Sequence, residues 1–183
     1  MKEQQKKYEL TDEFFVHWSG KKLYRIRSLV TFGSVVAGQL GGFVESEKNL
    51  DQSLSGNAWV YGDAWVYGDA RVFGNARVFG DARVFGDARV YGDAEVYGDA
   101  RVRSYAVISE RKMIFGASNV GSENGTLTVF NGKDGLIVTR GCFTGTVDEF
   151  LAKSAKVHDN KTKNEYKLLI EVAKSRILGV KDE

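Results

Sequence analysis

The sequence contains no proline, one cysteine and only two histidines among 183 residues. Average usage would give about 5% proline, or roughly nine residues; their absence excludes a polyproline recognition tail, a proline-rich linker and a collagen-like repeat. A single thiol, Cys142, cannot close an internal disulfide, which suits a reducing compartment. No apolar run approaches the roughly 18 residues of a membrane span, and the opening MKEQQKKYEL lacks the apolar core of a secretory leader. A cytoplasmic location is therefore expected, with no membrane partner. The net charge is +2, and the three parts of the chain (1–57, 58–107 and 108–183) carry +1, −1 and +2. No basic domain advertises a nucleic-acid partner, and none is expected.

What the chain has in excess is glycine, with 21 residues, of which eleven lie between Gly56 and Gly125. From Ala58 onward the sequence reads AWVYGD AWVYGD ARVFGN ARVFGD ARVFGD ARVYGD AEVYGD ARVRSY. The period is six: Ala, a variable residue, Val, an aromatic, Gly, then Asp or Asn. Leu54, Ile108, Ile114 and Val120 continue the Val frame, giving twelve aliphatic positions. A self-similar period of this kind sets the architecture before any local propensity does. Val flanked by two outward residues makes a short strand with one inward side chain. Gly-Asp and Gly-Asn supply a corner, and Ala is small enough to sit inside it. Three sides close a triangular coil of 18 residues, and coils stack at about 4.8 Å. Twelve hexads make about four coils, a prism roughly 19 Å tall. A pentapeptide-repeat prism is excluded by the period.

The repeat resembles the hexapeptide proteins that fold as left-handed parallel β-helices, and the handedness comes from that resemblance alone. Leu40–Leu50 ahead of the repeat, and Arg140-Gly141-Cys142-Phe143-Thr144-Gly145-Thr146 behind it with His158 and Tyr166, resemble segments of bacteriophage and prophage hexapeptide proteins. Such proteins are often labelled transferases on the strength of the repeat, which is an analogy of fold and not of function. The expected organisation is mainly β: a β-rich N-terminal cap over 1–53, the β-helix over 54–125, and a C-terminal module over 126–183. That module is read as a hairpin, Thr126–Phe130 with Leu136–Thr139, followed by two helices. The first helix opens with the capping box Thr146-Val147-Asp148-Glu149. The second covers about 164–178, with Tyr166, Leu169, Ile170, Ala173 and Ile177 on one face.

Hexapeptide acyltransferases, which this prism resembles, use a histidine base, and the γ-class carbonic anhydrases of the same fold need three histidines on a metal. The repeat has none, and His17 and His158 lie outside it. No catalytic residue, metal site or cofactor is therefore assigned, although an acyltransferase-like enzyme and a purely structural spacer remain as alternatives. Cys142, between Gly and Phe, reads as a small buried apolar residue. Side chains 18 positions apart share a face. One face carries the aromatic column Tyr61, Phe79, Tyr97 and Phe115 beside Trp59; either it is the contact of a homotrimer, as such prisms commonly form, or a flanking segment covers it. A second face presents Trp65, Tyr67, Arg83, Phe85, Arg101 and Arg103, which suits a planar anion such as a nucleotide but equally serves to solvate the prism. A third, with Arg71, Phe73, Arg89 and Tyr91, is similar but less basic. Residues 141–146 read as a loop before a helix, in which Thr144, Gly145 and Thr146, with Arg140 adjacent, lie where the helix N-terminus could receive an anion, or where Thr146 only caps the helix. The functional expectation is a phage-encoded, non-catalytic, oligomeric binding protein of the host bacterial cytoplasm, acting against host defence by sequestering a nucleotide signal or inhibiting a host protein.

Overall fold

A computed structural model describes residues 4–179. Its centre is a β-helix of about four turns. The first face stacks β4 (Trp59–Val60), β7 (Arg77–Val78) and β10 (Glu95–Val96). The second stacks β3 (Leu40–Val44), β5 (Trp65–Val66), β8 (Arg83–Val84) and β11 (Arg101–Val102). The third stacks Leu50 with β6 (Arg71–Val72), β9 (Arg89–Val90) and β12 (Val107–Ile108). All of these pairings are parallel, and from Val78 to Ile108 each inward residue lies directly over the one 18 residues earlier. The inward Val and Ile of β4 to β12 and the corner Ala residues from Ala58 to Ala106 are buried. Each fully buried Val contributes about 1.5–3 kcal/mol from removed apolar surface.

The corners explain the composition. Gly62, Gly68, Gly74, Gly80, Gly86, Gly92 and Gly98 all have φ between 57 and 70°, the left-handed region. At Gly80 a Cβ would lie 3.1 Å from the Gly98 nitrogen, because successive corners stack backbone on backbone. Ser104 takes the glycine position of the eighth hexad and keeps φ at 59°.

The Val frame slips at both ends. Leu54 is 49% exposed in a turn; Leu50 takes the inward place instead, bridged to Val72, and a four-residue insertion follows it. The helical stack also begins earlier than the hexad code, because Phe43-Val44 pairs with Trp65-Val66. At the other end Ile114 still borders the prism core, whereas Val120 belongs to a second core.

Both open ends are covered. At the N-terminal end β1 (Tyr8–Val16) and β2 (Lys22–Ser28) form a hairpin that adds antiparallel to β3, extending the second face to six strands. Lys7 is fully buried, and its ammonium donates to the carbonyls of Gly56 (3.4 Å) and Ala58 (3.2 Å) while facing the Phe32 ring at 4.9 Å. Burial pushes its pKa down, with Asp51 opposing. Tyr8 donates to the Leu50 carbonyl at 2.7 Å, and burial raises its phenol pKa. Glu45 ties the hairpin to the prism: it accepts from Lys21 at 2.9 Å and from the Gly68 N–H at 2.7 Å.

At the C-terminal end the expected hairpin is part of a four-stranded antiparallel sheet. Its strands are β13 (Ile114–Val120), β14 (Gly125–Gly132), β15 (Gly135–Arg140) and β16 (Phe143–Thr146). The upward carbonyls of the last rungs meet this sheet: Arg101 accepts from Thr139 Oγ1 (2.8 Å), Val107 from Asn131 Nδ2 (3.0 Å) and Tyr105 from the Lys133 N–H (2.8 Å). Helices α1 (Val147–Val157) and α2 (Asn160–Leu178) pack on the sheet. The capping box at Thr146 and Glu149 forms with both bonds. The second helix starts at Asn160, four residues before the expected 164, because Asp159 caps it by accepting from the Thr162 N–H at 2.8 Å.

Gly80→Ala should lower unfolding free energy by about 1–2 kcal/mol for the left-handed corner, whereas Ser104→Gly should raise it by about 0.5–1 kcal/mol; urea midpoints decide both. Burial of Glu45 raises its pKa, but Lys21 and the Gly68 N–H outweigh that and hold it below the usual 4.5. A carboxyl held low in the folded state stabilises above its unfolded pKa and loses that contribution as pH falls through the folded one. The stability difference between the native chain and Glu45→Gln should therefore be full at neutral pH and vanish on acidification below 4.5.

Candidate functional site

The second face brings together the six residues assigned to it from the sequence. Parallel register places Trp65, Arg83 and Arg101 in one column. The Arg83 guanidinium lies 4.3 Å from the Trp65 ring centroid, and Tyr67 stacks on Phe85 at 5.0 Å and 3°. Arg103 sits 5.6 Å from the Phe85 ring. The lower half of this face is not open, however. Phe15 from β1 contacts Trp65 at 4.7 Å, and His17, just past its end, contacts Tyr67 at 4.9 Å and Trp65 at 5.9 Å. Trp65 and Tyr67 thus pack against the chain's own hairpin, in tilted and edge-on contacts. His17 is itself buried, with Nδ1 2.7 Å from Ser19 Oγ. Its pKa is lowered by burial and by the charges of Arg83 and Lys21.

The upper half opens into a cleft of about 350 Å³ where the prism edge meets the C-terminal sheet. Arg83 and Arg101 from the prism line it together with Arg140 at the end of β15. Each guanidinium is held by uncharged groups. Arg83 rests on Trp65, Arg101 donates to the Gly141 carbonyl at 3.2 Å, and Arg140 donates to the Tyr166 hydroxyl (3.1 Å) and the Val120 carbonyl (3.3 Å). Gly125 makes room for Arg140, since a Cβ there would lie 2.5 Å from Nη1. Among the described residues none of the three is ion-paired to a carboxylate within 4.0 Å. Asp81 and Asp99, one coil apart on the corner just before Arg83 and Arg101, also line it. Asn119 and Asn124, both left-handed with φ of 58 and 49°, shape the lip. These four were not singled out in the sequence. The 18-residue spacing of Asp81 and Asp99 was a usable signal, but nothing local announces the two asparagines as neighbours of the prism.

Thr144, Gly145 and Thr146 do not join Arg140 in this cleft. Phe143–Thr146 is an edge strand and not the loop expected before the helix, because it pairs with Ile137–Arg140. The helix N-terminus beyond it is already filled by the chain's own Glu149 carboxylate, which accepts from the Thr146 N–H at 2.8 Å.

The aromatic column of the first face is divided among the caps. Trp59 is fully buried under Tyr8 (6.0 Å) and Phe32 (5.4 Å) and forms no part of the outer surface. Tyr61 is half-buried, its hydroxyl 3.3 Å from Ser34 Oγ. Phe115 packs against the C-terminal core. Only Phe79 and Tyr97 remain as an outward pair, stacked at 5.7 Å, with Tyr97 54% exposed. On the third face Phe73 and Tyr91 stack in parallel at 4.8 Å. Cys142 is exposed and not buried as expected, because it sits in the tight turn that joins Arg140 to Phe143. With His158 it lines one further cleft, on the helix side of the C-terminal sheet.

Among the described residues no helix is long and apolar enough to cross a membrane. No curated protein matches the chain. Residues 70–84 match a family model described as the YdcK β-solenoid repeat. That likeness covers two and a half hexads of the prism and agrees with the repeat architecture that the stacked rungs display.

Proposed function

We propose that the protein is a non-catalytic binding protein that captures a small anionic ligand of the nucleotide type in the cleft between prism and C-terminal sheet. The observation that carries this reading is the convergence of Arg83, Arg101 and Arg140 on one cleft, with no carboxylate among the described residues ion-paired to any of them. Three guanidinium groups against the two carboxylates Asp81 and Asp99 leave the partly enclosed space net positive, which favours an anion, and planar guanidinium groups suit phosphate oxygens. Asp81, Asp99 and the two asparagines offer acceptors and amide groups for hydroxyls and ring nitrogens, which a nucleotide has and a bare anion lacks. The volume falls within the about 300–1,000 Å³ range of small-molecule sites. Guanidinium groups stay protonated and do not shuttle protons, so the wall they build serves retention better than turnover. The resemblance to phage and prophage proteins supports a biological role for such retention: removing a nucleotide signal from the host cytoplasm. The stacked Phe79–Tyr97 pair supports assembly of copies, a homotrimer, through what is left open of the first face.

Thermal denaturation with a panel of linear and cyclic nucleotides at low salt tests the binding. At least one should raise the melting temperature, and Arg101→Gln should weaken that ligand by about tenfold or more, the worth of one charge-assisted hydrogen bond. No shift with any member of the panel would falsify the reading. Native mass spectrometry should give three chain masses for the native protein and one for Tyr97→Lys; a single chain mass for the native protein contradicts the trimer.

A further inference from the structure

A second cleft, of about 280 Å³, lies between the β15–β16 turn and both helices. Its floor is apolar. Phe143 and Phe150 are 5.5 Å apart, and Phe150 meets Tyr166 edge-on at 5.0 Å. Its rim is basic: Arg140 and Lys153 line it, with the Lys153 ammonium 5.3 Å from the Phe143 ring, and Glu123 is the single carboxylate. Ser154, on α1, forms part of the wall. It is 4% exposed, and its Oγ has no hydrogen-bond partner. A buried serine in a helix ordinarily returns its hydroxyl to a carbonyl one turn earlier, and an unsatisfied one destabilises the fold. Alanine is the better helix former, so the folding of α1 gives no reason for a serine at 154.

We infer that this helix-side cleft binds a small monocarboxylate with an apolar body, an aromatic or short aliphatic acid. The body lies against Phe143 and Phe150, and the carboxylate is received by Arg140, Lys153 and the free hydroxyl of Ser154. The aromatic floor separates this ligand from the nucleotide-type one, whose cleft is walled by charged and amide groups. Arg140 borders both clefts, so the test relies on Ser154 and Cys142, which line only the second.

Calorimetric titration of the full chain with phenylacetate, with phenylacetamide and inorganic phosphate as controls, is the primary measurement. Phenylacetate should bind about tenfold or more tightly than either control, for the loss of a charge-assisted hydrogen bond or of the apolar body. Ser154→Ala should raise the melting temperature by about 2–4 °C, since it removes an unsatisfied polar group, and yet weaken phenylacetate about tenfold. The exposed Cys142 at the rim reports on the native chain itself: saturating phenylacetate should slow its alkylation by iodoacetamide severalfold. Equal affinity for the amide, or unchanged affinity in a stabilised Ser154→Ala, overturns the carboxylate assignment. Absence of both heat and Cys142 protection overturns the site.

Discussion

Everything in this molecule depends on the corner of the β-helix. The chain must turn at every sixth residue, with the corners of successive coils in direct backbone contact. Only a left-handed residue without a side chain turns there cheaply, and only a methyl group fits on the inside. Gly and Ala meet those two demands, and the Val between them then has no choice but to point into the prism. The stacked strands are two residues long, too short to persist singly. Their persistence comes from the parallel hydrogen bonds that tie each coil to the next.

A stack built this way has two faults, and the flanking segments answer both. Its ends leave carbonyls and apolar rungs open. At one end Lys7 and Tyr8 donate to the exposed carbonyls while Phe32 and Trp59 close the apolar core. At the other, Thr139, Asn131 and the Lys133 N–H do the same. The second fault is flatness. A periodic face repeats the same side chains at the strand spacing and encloses nothing. Concavity arises only where an aperiodic cap leans on the periodic face, and the cleft lined by Arg83, Arg101 and Arg140 lies at such a junction. The cleft with Ser154 lies wholly within the cap, where two helices cross an antiparallel sheet. Both clefts share Arg140, whose guanidinium is fixed between Tyr166, Val120 and the bare backbone of Gly125.

The prism was legible because each of its rules is local and repeated. The six-residue code names the inward residue, the corner and the column. It misled at Leu54, which keeps the spacing but not the place, because Leu50 already fills the inward position and a four-residue insertion separates it from the next rung. The expected β-rich cap, the hairpin and both helices are present, and the capping box at Thr146 forms. What the code could not convey is which outward residues stay outward. Tyr61 occupies the same column as Phe79 and Tyr97, and Trp59 that of Arg77 and Glu95, yet Tyr61 and Trp59 lie beneath the N-terminal segment. Likewise Thr144–Thr146 carry the residue types of an anion-binding loop but are used as an edge strand, with Glu149 already occupying the helix end.

The sequence by itself therefore determined the β-helix, its coil length, its faces and the capping of its helices, since each follows from steric and hydrogen-bonding demands within a few residues. The tertiary structure alone decided which face is covered, where Arg140 comes to lie beside Arg83 and Arg101, and that Ser154 lacks a partner. Those outcomes depend on how two aperiodic caps dock on a periodic surface. Docking is settled by long-range packing, on which a repeating code carries no information.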